Sequence, residues 1–86
     1  MHNSSSKSEN IQEVLLDVVD LPCYSKHQTI FKEWELLTSG KALLLINDHD
    51  PIPLKLQFEA MYQGRFDWIY LQQGPDLWRI HIIKLS

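Results

Sequence analysis

A single cysteine, Cys23, stands in the chain, so no disulfide can close within it. A cystine-stapled framework, the usual support of very small secreted folds, is therefore excluded. The opening residues lack the charged-then-apolar form of a secretory leader, and the expected compartment is the reducing cytoplasm. No apolar run approaches the roughly 20 residues that a membrane-spanning helix needs. Positive charge is also scarce: 8 Lys and Arg stand against 11 Asp and Glu, for a net charge of -3. The basic residues are spread from Lys7 to Lys84 and offer no patch for a phosphate backbone, so nucleic acid is not an expected partner. The 3 glycines are too far apart to build a phosphate-cradling loop.

Apolar material is plentiful. The 86 residues are 44 % hydrophobic, with Trp34, Trp68 and Trp78 as large anchors, which suits one small globular domain. Residues 1–12 are small and polar with no apolar period, and are expected to be a disordered tail. The domain is then 13–86.

Within it, Val14-Leu15-Leu16-Asp17-Val18 reads as a strand that ends at Asp20-Leu21-Pro22. Ser25 and Gln28 have the spacing of a capping box, and Ile30, Trp34 and Leu37 share one helical face, which predicts a helix from about Lys26 to Thr38. Gly40 is its left-handed stop. The continuous apolar run Ala42 to Ile46 is too short for a typical helix and reads as an interior strand covered on at least one face. Asp50 can cap a second helix that carries Pro51 and Pro53 in its first turn, with Leu54, Phe58, Met61 and Tyr62 as its inward stripe. After Gly64, Phe66 to Leu71 alternates, and Leu77 to Lys84 follows the Gly74-Pro75 turn as a last strand. In that strand Trp78, Ile80 and Ile82 share one face and Arg79 and His81 the other, as expected where helices cover one side of a sheet.

The order is thus β-α-β-α-β-β, an α/β two-layer sandwich. Right-handed crossovers make the first three strands parallel and the short turn makes the fourth run back. Segments 22–27, 47–50 and 73–76 should then share the rim beyond the carboxyl ends of the parallel strands, where open α/β sheets place ligands.

The stretches "LDVVDLPCYSKHQTIF", "NDHDPIPL" and "FDWIYLQQGPDLWRIHIIK", with their spacing, resemble the bacterial family known as domain of unknown function 2249, over residues 14 to 84. The resemblance implies a TusA/SirA-like sandwich: a four-stranded mixed sheet of order 1-2-4-3, the fourth strand antiparallel, with two helices on one face. It implies no known activity. A more distant resemblance is to the TusA sulfur carriers, whose strand Leu-Asp pair and helix-start cysteine are matched by Leu16-Asp17 and Cys23, while Tyr24 stands where they have proline.

Three functional readings follow. The first is a small binding or accessory module, not an enzyme by itself and needing no cofactor, with His27, Asn47, Asp48, His49, Asp50 and Arg79 on the working rim. Its partner would be another protein or a small polar ligand. The second is a sulfur carrier in which the exposed sulfur of Cys23 bears a persulfide. The third is a metal site through His27, His49 and Asp48. Each residue also has a plain structural role open to it. Asp50 can cap, Asn47 or Asp48 can close the preceding turn, and His49 can bridge to the neighbouring loop. Charge does not choose an anion, because Asp48 and Asp50 oppose what Lys26, His27 and Arg79 favour. On the sheet face without helices, either Phe66, Trp68 and Tyr70 or Asp67, Ile69 and Leu71 join Arg79 and His81; exposed aromatics there would make a surface for a partner or a second copy in a homodimer. Trp68 and Trp78 otherwise belong to the core.

Overall fold

The computed structural model describes residues 11–86; positions 1–10 of the expected tail lie outside the described residues. Strand β1 (Glu13–Asp17) pairs in parallel with β2 (Ala42–Asn47), Val14 opposite Leu43 and Leu16 opposite Leu45. Between them runs α1 (Cys23–Leu36), which begins three residues before the expected Lys26. Pro22, with φ already at -59°, occupies the capping position and supplies no side-chain hydrogen bond. Ser25 is therefore inside the first turn and is not its cap; its hydroxyl donates to the Pro22 carbonyl at 3.0 Å. After α1 the chain turns at Gly40, whose φ of +89° only glycine adopts without steric cost.

Helix α2 (Ile52–Met61) likewise starts from a proline, Pro51, without a side-chain cap. Asp50 does not cap it, for a physical reason. A cap at Asp50 would need the amide hydrogens two and three residues on. That of Ile52 is taken by the Asp50 carbonyl at 2.9 Å, and Pro53 has none. Of the expected inward stripe, Leu54 and Phe58 are buried, while Met61 is exposed, because the helix ends there and Tyr62 turns under instead. The Tyr62 ring lies 5.5 Å from Phe58 and 5.6 Å from Trp34.

The sheet closes with β3 (Phe66–Gln73) and β4 (Trp78–Lys84) in the order β1-β2-β4-β3, β4 antiparallel to both neighbours. Leu43, Leu45, Ile80 and Ile82 from the two central strands are wholly buried under Ile30, Trp34, Leu54 and Phe58 of the helices. Both helices thus lie on one face. Phe66, Trp68 and Tyr70 pack against that core, so Asp67, Ile69 and Leu71 take the uncovered side with Arg79 and His81. The uncovered patch is aliphatic, not aromatic. Phe58 sits at the centre of the core, its ring 5.0 Å from Phe31, 5.1 Å from Trp34 and 5.7 Å from Trp68. Each such pair contributes about 0.5–1.5 kcal/mol beyond the area it buries. Lys84 fastens the end of β4 to α1, donating to the Trp34 carbonyl at 2.9 Å.

Candidate functional site

Parallel pairing of β1 with β2 sends the chain out of both strands at the same rim. Asn47 pairs with Trp78, and Trp78 with Gln73, so the β3–β4 turn leaves from that rim as well. There the first turn of α1 and the segment from Asn47 to Leu54 enclose a cavity of about 90 Å³. Val18, Ile30, Pro51, Pro53 and Leu54 form its apolar wall; Cys23, Lys26, His27, Asn47 and His49 are its polar lining.

Lys26 organises the polar side. Helical spacing puts it on the stripe of Ile30, Trp34 and Leu37, the stripe that faces the sheet, and it is only 6 % exposed. A lysine held there needs acceptors. Its Nζ donates to Asn47 Oδ1 at 2.8 Å and, at a longer 3.4 Å, to Asp48 Oδ1. Asn47, itself buried, donates from Nδ2 to the His49 carbonyl at 3.1 Å, which fixes the loop leaving β2. One chain of bonds therefore joins α1, β2 and the loop that leads to α2.

The acids are drawn out of the cavity. His49 Nδ1 lies 2.7 Å from Asp48 Oδ1. That hydrogen bond, with the Lys26 charge behind it, holds the Asp48 carboxyl below its ordinary value, although partial desolvation works the other way. An ionised carboxylate has no hydrogen to give, so Nδ1 carries the proton and Nε2 of His49 is left for other partners. Asp50 Oδ1 accepts the Tyr70 hydroxyl at 2.8 Å, and neither residue is in the lining. Burial first, and then this bond, push the Tyr70 phenol upward. His27 Nδ1 is 2.8 Å from Gln57 Oε1 of α2, which ties the two helices across the mouth.

The rim residues anticipated from the sequence are thus distributed unevenly. His27, Asn47 and His49 line one cavity, and Cys23 stands exposed beside them. Asp48 braces the lining from outside, Asp50 belongs to the β3 side, and Arg79 lies on the opposite sheet face, paired with Ile46 and Gln72. Among the described residues, no three of His, Cys, Asp and Glu come together as a metal ion would require. No helix among those residues is long and apolar enough to cross a membrane. Lys26 was anticipated only as a charge near the rim and not among its working residues, though its place on the Ile30 and Trp34 stripe marked it as an inward lysine. Tyr70 was also unforeseen, because strand alternation left its face open.

Residues 15–84 match the family model of the uncharacterized conserved protein, domain of unknown function 2249 (DUF2249). No curated protein and no solved structure gives a significant match. With most of its length inside that model, the chain belongs to this family.

Proposed function

We propose that this member of the family is a small cytosolic binding module, without catalysis of its own, whose recognition site is the cavity between the start of α1 and the β2–α2 loop. The observation that carries this reading is the buried Lys26 ammonium, bonded to Asn47 and Asp48 beneath an apolar wall. Small-molecule and side-chain pockets have this make-up: mostly apolar walls with a few convergent polar groups. Their polar groups are held in advance, and so they cost little to order on binding. The volume is small, suited to the tip of a partner's side chain or to a ligand of few atoms. The test is a panel of small neutral and charged polar fragments titrated into isotopically labelled protein. Saturable shifts should cluster at Val18, His27, Ile30 and Leu54 and leave Asp67 and Ile69 still; a panel that moves none of the cavity resonances would overturn the reading.

A second reading, sulfur carriage on Cys23, draws support from one observation: the exposed thiol opens onto the same cavity as Lys26 and His27. Mass spectrometry after incubation with a cysteine desulfurase and cysteine checks it. A persulfide adduct absent from Cys23→Ser supports a relay, and an unmodified chain removes that role.

A further inference from the structure

The cavity lining carries charge of one sign. Lys26 is its cation, and His27 and His49 stand with it in the polar lining. No Asp or Glu belongs to the lining: Asp48 stands behind Lys26 at 3.4 Å and is bonded more closely to His49 at 2.7 Å, and Asp50 is bonded to Tyr70. The Lys26 ammonium has three hydrogens to donate. Asn47 accepts one at 2.8 Å and Asp48 a second at 3.4 Å, near the limit of a hydrogen bond. The third has no acceptor among the described residues. Beside an apolar wall, an ammonium hydrogen left this way is costly, and an incoming acceptor with negative charge relieves the cost most fully.

Size and wall chemistry narrow the class. About 90 Å³ bounded by Val18, Ile30, Leu54 and two prolines admits a short aliphatic stub as well as a charged head. A doubly charged tetrahedral oxyanion would present polar atoms to that wall on every side and would find one lysine to balance it. A monocarboxylate with one or two carbons behind it matches both halves: the head on Lys26 Nζ, the stub against Ile30 and Leu54. We propose that the cavity binds a small carboxylate, either a free short-chain acid or the side chain of an aspartate or glutamate on a protein partner. This rests on reading the cavity as a binding site.

The experiment compares propionate with propionamide, which has the same shape and no charge, by titration into the native labelled protein. Propionate should shift Lys26, Ile30 and Leu54 resonances saturably and bind roughly tenfold or more tightly than propionamide, the worth of one charge-assisted hydrogen bond. Lys26→Met should lose that preference. The native comparison decides the matter even where the variant does not fold. Propionamide binding as well as propionate would overturn the carboxylate while leaving the binding module standing; inorganic phosphate binding more tightly than propionate would overturn it too. Binding of neither propionate nor propionamide also overturns it, and the broader fragment panel then judges the module separately. Acetylated, amidated glutamate separates the two sources, a gain over propionate pointing to a partner's side chain and parity to a free acid.

Discussion

The rim and the uncovered sheet face are built in opposite ways. At the rim, polar groups satisfy one another within the β2–α2 loop and across elements: Lys26 with Asn47, Asn47 with the His49 backbone, His49 with Asp48, Asp50 with Tyr70. On the uncovered face, Leu15, Ile69 and Leu71 stand exposed, and a Glu13–His81 contact spans the strands. One region holds its geometry without help. The other leaves aliphatic side chains at the surface. Geometry in advance serves discrimination, whereas exposed aliphatic area serves association without fixing what associates.

Substitutions at the two places should separate these roles. The largest effect is expected for Asn47→Leu, which leaves the buried Lys26 ammonium without its short acceptor; urea unfolding should register a loss of about 3 kcal/mol. Tyr70→Phe should cost about 1 kcal/mol by the same measurement, because Asp50 loses its donor. Ile69→Glu, by contrast, should change stability by no more than about 0.5 kcal/mol, as exposed substitutions usually do. If a second copy covers the face, the same variant should shift sedimentation toward the monomer; equal losses for Asn47→Leu and Ile69→Glu would erase the contrast. The smallest effect is one of pH. Asp48 ionises more readily in the folded chain than in the unfolded one, so its support is present above the ordinary carboxylate range and fades as pH falls through its lowered value. Asp48→Asn should lack that contribution, which thermal melts in mildly and strongly acidic buffers would show as a shallower fall in midpoint.

The element order and the sheet were legible because the chain obeys its periods. Leu43 and Leu45, Ile80 and Ile82, and the Ile30, Trp34, Leu37 stripe are all buried where alternation and helical spacing put them. The helix starts were misread for one shared reason. Ser25 and Asp50 are residue types that cap helices, but prolines occupy both capping positions, and the side chains bond to the Pro22 carbonyl and the Tyr70 hydroxyl instead. A contact with Tyr70, far along the chain, leaves no trace in the local pattern around Asp50. The rim was legible only as a neighbourhood. That the loops would meet followed from parallel strands; Arg79 was expected with them on the working rim, although alternation along β4 sets it beside His81 and opposite Trp78 and Ile80. What local reading could not supply was which acids would turn outward, since that depends on partners brought together by folding.

The place of β4 in the sheet has a consequence for how the molecule is made. It is the last of the four strands in sequence, yet it lies between β2 and β3 and supplies all the hydrogen bonding that joins them. A nascent chain exposed from the ribosome only as far as β3 would hold two fragments, β1–α1–β2 and α2–β3, with bare strand edges and no ladder between them. Closure must wait until Trp78 to Lys84 have emerged, so arrest just before this stretch would leave the chain open to edge pairing with its neighbours.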